Sequence, residues 1–226
     1  MGDAELVNHL AGWEGGLAPL FRSLNSTQRK YLAPDLEIVA IGTSTGGLKA
    51  LQTLLSGLSE NFPLPVVIVQ HRGSSSDTGL CEFLRRSSSL SVTEPEDKEP
   101  LAPGHVYLAP RDYHLLIEDG SFALSTDHAV AFARPSIDVL FECVADEYGD
   151  KAIGVILTGA NNDGARGLSA ITSQGGVTVV EDPESAASQE MPRAALARTK
   201  ADWVLPLEEI APCLNKLVNG EAVYGS

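Results

Sequence analysis

Cysteine is scarce in this chain, and the cysteines that occur form no recognisable pattern. There are three, Cys81, Cys143 and Cys213, and they lie far apart in the sequence. An odd number of widely separated cysteines argues against a disulfide framework and against a zinc site built from paired cysteines. We therefore expect buried, reduced thiols at these positions.

Positive charge and long apolar runs are also in short supply. The chain has 16 Lys and Arg against 30 Asp and Glu, a formal net charge of −14. Such a surface repels phosphate backbones, so we expect no nucleic-acid partner. No stretch approaches the roughly 18 uncharged apolar residues of a membrane-spanning helix, and the N-terminus lacks the pattern of a secretory signal. We expect a cytoplasmic protein with no direct membrane insertion.

Short hydrophobic runs alternate with helical patterns from residue 37 onward. Four runs are typical of buried strands: 38–41, 66–69, 153–157 and 177–180. Between the first two, a helical pattern places five leucines on one face: Leu48, Leu51, Leu54, Leu55 and Leu58. This order predicts a βαβ unit with parallel strands.

The middle of the chain has a different character. Alternating residues at 113–118 and 121–125 flank Asp119 and Gly120, which predicts a hairpin. Ser136 is expected to cap a helix whose buried face comprises Ile137, Leu140, Phe141, Val144 and Ala145. A final helix is expected near 207–218, with Pro212 tolerable only in its first turn.

These elements predict an α/β fold: a doubly wound, mostly parallel sheet flanked by helices, with a small antiparallel hairpin insertion. With 226 residues, 43% of them hydrophobic, the chain is long enough for one substantial core. We expect an N-terminal lead-in over 1–36, one domain over 37–220 and a tail over 221–226.

Three loops that follow predicted strands contain Ser44, His71 and Asp163. In an open parallel sheet the carboxyl ends of the strands face one crevice, so residues distant in sequence meet there. These residue types suit a catalytic triad: a serine nucleophile, a histidine general base and an acid that orients the imidazole. A hydrolase is therefore the leading hypothesis.

Each residue has an ordinary structural alternative. Ser44 lies in Gly-x-Ser-x-Gly, a pattern that exposes a hydroxyl beside a helix N-terminus but also occurs in structural turns. The segment lacks the Gly-Lys-Ser/Thr of a phosphate-binding loop, since Leu48 follows Gly47, and it has Ser44 where a dinucleotide fingerprint needs glycine. His71 could be a surface residue, and Asp163 a turn or helix cap. The order Ser, His, Asp argues against an ordinary α/β-hydrolase, because no histidine follows Asp163, and leaves triad chemistry open.

From about residue 37 to 218 the sequence resembles the catalytic domain of the chemotaxis receptor methylesterases, the CheB family. The resemblance rests on ordered blocks at 41–47, 70–71, 103–110, 134–141, 154–159, 162–164 and 191–193. It implies that Ser44, His71 and Asp163 are nucleophile, base and acid, and that Thr45, Gly46 and Ala160 support the oxyanion and the cleft. One departure concerns the oxyanion donor: Ala160 and Asn161 stand where the family usually has a bulky apolar residue and glycine.

The resemblance also implies a reaction. Such enzymes hydrolyse γ-glutamyl methyl esters on the cytoplasmic region of methyl-accepting receptors, and many also deamidate glutamines there, without a metal or organic cofactor. They normally begin with a receiver domain, which the first 36 residues are too few to form. Three situations would account for the missing receiver domain. The enzyme could be regulated by a separate response-regulator chain, it could be constitutively active, or the sequence could be an excised domain.

Two other functions stay open. The chain could be a different serine esterase or amidase on this fold, or a non-catalytic adaptor that binds receptors. A complete Ser/His/Asp set argues against the adaptor, because binding alone needs none of the three.

Overall fold

The computed structural model describes residues 35–71, 79–130 and 132–221. The expected lead-in falls almost wholly outside these ranges, as do the last five residues of the expected tail. The domain boundaries therefore stay predictions. Within the described ranges, no helix is long and apolar enough to cross a membrane.

Within the part of the chain that the structure describes, nine strands form two sheets. In chain order they are β1 (Ile38–Thr43), β2 (Val66–Gln70), β3 (Ser91–Thr93), β4 (His105–Leu108), β5 (His114–Glu118), β6 (Ser121–Ser125), β7 (Ala152–Ile156), β8 (Val177–Glu181) and β9 (Trp203–Leu205). Seven strands pair in parallel in the order β3-β4-β2-β1-β7-β8-β9. The other two, β5 and β6, form an antiparallel hairpin.

Among the described residues, six α-helices cover the sheet: α1 (Gly47–Gly57), α2 (Leu80–Ser87), α3 (Ile137–Tyr148), α4 (Ala165–Ser173), α5 (Glu190–Arg198) and α6 (Leu207–Val218). Successive side chains of a strand point to opposite faces. Val39 and Ile41 of β1 accordingly pack with α1, α2 and α6, whereas Ile38 and Ala40 pack with α3, α4, α5 and the hairpin. The predicted doubly wound fold is confirmed.

Two local predictions in the middle of the chain are also confirmed. Asp119 and Gly120 form the hairpin turn, both with positive φ, as a two-residue type I′ turn requires. Ser136 caps α3, where its Oγ accepts a hydrogen bond from the Val139 N–H, and the predicted apolar face of that helix is buried.

Two other details of the prediction were wrong. Leu48 is 47% exposed, because it lies in the first turn of α1 beside the Ser44 loop rather than over the sheet. Pro212 is the sixth residue of α6 and so lies in its second turn. A proline there removes the hydrogen bond to the Glu208 carbonyl, but both residues are exposed, so water can hydrate that oxygen.

Candidate active site

The loops after β1, β2 and β7 lie side by side at the carboxyl edge of the sheet. Thr43 at the end of β1 pairs with Gln70 of β2, and Gly42 pairs with Ile156 of β7. Because β1 lies between the other two strands, Ser44, His71 and Asp163 emerge into one crevice, as the strand pattern predicts. The His71 N–H donates to the Thr43 carbonyl at 3.0 Å, which joins the first two loops directly.

His71 and Asp163 form a buried pair. Nε2 of His71 lies 2.8 Å from Oδ2 of Asp163, and the two side chains are 13% and 2% exposed. Asp163 accepts three further hydrogen bonds, from the Ser136 hydroxyl and from the N–H groups of Ile137 and Asp138, at 2.8–2.9 Å. The carboxylate therefore occupies the N-terminus of α3, which favours negative charge.

These hydrogen bonds and the burial of the side chain determine the ionisation state of Asp163. Burial alone would raise its pKa, but the hydrogen bonds from His71 and from the backbone of Asp138 and Ile137 outweigh that effect. The pKa of Asp163 lies below its ordinary value of 3.8. The group is thus a carboxylate at neutral pH, suited to stabilise a positive charge on His71.

Asp138 makes the reciprocal contact. Its Oδ1 accepts hydrogen bonds from the N–H groups of Gly164 and Gly167, at 3.0 and 2.8 Å, at the start of α4. Burial, together with the nearby charge of Asp163, raises the pKa of Asp138. The start of α3 thus presents N–H groups to Asp163, which lies just before α4, and the start of α4 presents N–H groups to Asp138 of α3; this exchange fixes Asp163 relative to both helices.

Thr158, which follows β7 after Leu157, holds the Ser44 loop. Its carbonyl accepts hydrogen bonds from the Ser44 N–H at 3.0 Å and the Thr43 hydroxyl at 2.8 Å. Its own hydroxyl donates to the Thr45 carbonyl at 2.8 Å. Sequence reasoning missed this role, since a threonine after a buried strand gives only a weak signal.

Gln70 ties the nucleophile loop to the base. Its Nε2 donates to the carbonyl oxygens of Ser44 and His71, at 2.9 and 2.7 Å. A Cβ on Gly47 would clash with the side chains of Gln70 and Thr43, so only glycine fits at this helix start. Gly46 has φ +83°, the left-handed region that also favours glycine. A polar residue ending an apolar strand was the available signal for Gln70.

The predicted supporting residues lie around the same crevice. Thr45 and Ala160 are exposed, and Gly46 is the N-cap of α1. Among the described residues, no acceptor is found for the Ala160 N–H, so it could donate to a ligand. The oxyanion role of these three residues stays a prediction.

One expected contact is missing within the described part of the chain: no hydrogen bond joins the Ser44 hydroxyl to His71. The second ring nitrogen of His71, Nδ1, instead lies 3.1 Å from the side-chain amide nitrogen of Asn161. Sequence analysis identified Asn161 only as a departure from the family pattern. Its contact with the candidate base could not be foreseen from the sequence.

Glu181, at the end of β8, is a buried carboxylate behind the Thr158 loop. Its Oε2 accepts the Thr158 N–H at 2.7 Å. Burial raises the pKa of Glu181 above its ordinary value of 4.5, and the charges of Glu208 and Asp182 add to the increase, although the Thr158 hydrogen bond opposes it. The folded protein therefore binds this proton more tightly than the unfolded chain.

We expect Glu181→Gln to be more stable than the parent protein at pH 8, with an advantage that shrinks as the pH falls toward 4.5. A raised carboxyl pKa makes stability fall as pH rises through that pKa, and glutamine removes the charge while keeping an oxygen for Thr158. Urea midpoints between pH 5 and 8 measure this, with exposed Glu60→Gln as control. A pH-independent difference between Glu181→Gln and the parent would contradict the expectation.

Comparison with known proteins gives a consistent picture. Residues 39–214 match the family described as CheB methylesterase. A Leptospira interrogans protein is 48% identical over 184 residues, which cover 81% of this chain and 95% of that protein. A protein-glutamate methylesterase/protein-glutamine glutaminase of Moorella thermoacetica is 44% identical over 193 residues, covering 83% of this chain and 45% of that protein.

A solved structure agrees with the fold. The crystal structure of the Thermotoga maritima CheB methylesterase catalytic domain superposes with a TM-score of 0.77 at 37% identity. The match covers 81% of this chain and 99% of the other. At this identity the likeness extends beyond the order of the strands to the sequence itself.

Proposed function

The chain belongs to the CheB methylesterase family, and we propose that it hydrolyses γ-glutamyl methyl esters on the cytoplasmic region of methyl-accepting chemotaxis receptors. The family makes it a carboxylic ester hydrolase, and relatives are named for both glutamate methylesterase and glutamine glutaminase activity. We assign Ser44 as nucleophile, His71 as general base and Asp163 as the acid that orients it. The reaction needs no metal or organic cofactor.

The observation that best supports this assignment is the His71–Asp163 contact. A carboxylate held by three donors besides His71 cannot turn away, so the imidazole edge that it binds is fixed. Fixing one edge of the ring directs the other toward the crevice in which Ser44 lies. A surface histidine and a turn aspartate would not need this arrangement.

The proposed reaction is an acyl transfer through a covalent acyl-enzyme. His71 removes the proton from the Ser44 hydroxyl as the oxygen attacks the ester carbonyl, and the resulting imidazolium is stabilised by Asp163. Collapse of the tetrahedral intermediate breaks the bond to methoxide, which takes the proton and leaves as methanol. Water then hydrolyses the acyl-enzyme by the same proton transfers and restores the glutamate carboxylate.

The developing oxyanion needs donors. The donors that we propose are the N–H of Ala160, which is exposed, and the N-terminus of α1, which begins at Gly47. A glutamine side chain presents a carbonyl of the same shape, with ammonia leaving in place of methanol. This supports deamidation as a second reaction at the same site.

The test is methanol release from a methylated receptor fragment, compared with hydrolysis of a small neutral ester. We expect release from the receptor by the parent protein and none by Ser44→Ala. Hydrolysis of the small ester with no methanol release from the receptor fragment would favour a different serine esterase or amidase. Receptor binding with no hydrolysis of either substrate would favour an adaptor, and adding a response-regulator chain tests regulation in trans.

A further inference from the structure

The orientation of the Asn161 amide follows from its own hydrogen bonds. The Asp163 N–H donates to Oδ1 of Asn161 at 3.0 Å. Because a backbone N–H can only donate, the amide oxygen must face it, and the NH₂ group must point the other way. That group lies 3.1 Å from Nδ1 of His71.

This contact assigns the protonation of the His71 ring. The Asn161 NH₂ is a donor, so Nδ1 must accept and has no hydrogen. The hydrogen of the neutral ring is then on Nε2, where the Asp163 carboxylate accepts it at 2.8 Å. Both ring nitrogens are occupied, and the single in-plane lone pair of the base is bound to Asn161.

The Ser44 hydroxyl needs the same lone pair. A general base accepts a proton along the direction of its lone pair, and one imidazole lone pair accepts one strong hydrogen bond. The Asn161 bond and a Ser44–His71 bond therefore exclude each other. This agrees with the lack of a Ser44–His71 hydrogen bond among the described residues.

We propose that Asn161 is a positioning residue that blocks the base: its amide holds Nδ1 of His71 at rest, and the reaction begins only when the amide is displaced. The inference rests on the triad roles proposed above. Asn161 is exposed, so its side chain can turn toward solvent. A substrate segment entering the crevice can offer the amide another acceptor, and Ser44 then donates to the freed nitrogen.

The test measures how fast Ser44 reacts with a small fluorophosphonate probe, which bonds to an activated serine oxygen with loss of fluoride. We expect Asn161→Ser and Asn161→Ala to react about three- to tenfold faster than the parent. In these variants the Ser44 hydroxyl no longer has to displace the hydrogen bond between the Asn161 amide and Nδ1 of His71, and a neutral hydrogen bond is worth a free energy of this order. Asn161→Ser is the more informative variant, since its hydroxyl can still accept the Asp163 N–H. Asn162→Ala, which changes the neighbouring exposed asparagine, should react at the parental rate.

A second readout is the ¹⁵N resonance of Nδ1 in the His71 ring. In Asn161→Ser it should shift from its parental position, because the donor to Nδ1 changes from the Asn161 amide to the Ser44 hydroxyl, and a merely structural role would not produce this change. An unchanged Nδ1 resonance, or a labelling rate for Asn161→Ser at or below the parental rate, overturns the proposal. If Ser44 is unlabelled in the parent and in both Asn161 variants, the triad assignment itself fails, and the role of Asn161 fails with it.

Discussion

Ser44→Ala should abolish ester hydrolysis, with a loss of about 10⁴-fold or more in kcat/KM, and should leave the protein folded. Without the hydroxyl no acyl-enzyme can form, and the fixed His71–Asp163 pair has no nucleophile to activate. The side chain of Ser44 has no hydrogen-bond partner among the described residues, whereas its backbone, held by Thr158 and Gln70, is unchanged by the substitution. The thermal midpoint should therefore stay close to the parental value.

Methanol release and thermal unfolding measure these two effects on one preparation. The matched control is Ser56→Ala, which removes an exposed hydroxyl from α1. Since triad members act as a unit, adding His71→Ala to Ser44→Ala should lower the residual rate little further. Turnover by Ser44→Ala near the parental rate would remove Ser44 from the nucleophile role.

Asp163→Asn should have a double effect, lowering kcat by about 10⁴-fold and destabilising the fold by on the order of 3 kcal/mol. The carboxylate accepts four hydrogen bonds on two oxygens, but an amide offers one oxygen and directs an NH₂ group toward other donors. His71 loses the acceptor that orients it, and N–H groups at the start of α3 lose theirs.

The stability difference should depend on pH. The lowered pKa of Asp163 means that its stabilising contribution is complete above the ordinary value of 3.8 and is lost as the pH falls through the folded-state pKa. The gap between the parent and Asp163→Asn should thus narrow in acid. Urea unfolding at pH 7 and below pH 4 measures it, with exposed Asp127→Asn as control. A gap that widens below pH 4 would show that the ionised carboxylate is not the source of stability.

The sequence allowed the placement of Ser44, His71 and Asp163 to be predicted, because strand ends in a parallel sheet converge whatever lies between them. It did not allow the partners of Asp163 other than His71 to be predicted. Two of them are the N–H groups of Ile137 and Asp138, and an N–H group has no residue-specific signature. Only the packing of α3 against α4 brings them to the carboxylate.

Other failures have equally physical reasons. The spacing of the leucines identifies the face of α1 that packs on the sheet, but it does not show that the first turn of α1 lies beyond the edge of the sheet. For that reason the pattern predicts a buried Leu48. Pro212 was expected only in the first turn because a proline further along a helix removes a backbone hydrogen bond. That reasoning does not include the water that can hydrate the freed carbonyl at this exposed position. The two bonds of Asn161 join it to residues 2 and 90 positions away, and the longer one depends on the complete fold.

The exchange of aspartates between α3 and α4 has a consequence for partly folded forms of the protein. A compact intermediate can keep both helices yet lose their docking, and then neither Asp138 nor Asp163 has its donors. In such a state His71 would be free to rotate, although the content of secondary structure would be native. Esterase activity would therefore disappear before the helical circular dichroism signal during gradual denaturation, and it would report tertiary docking alone.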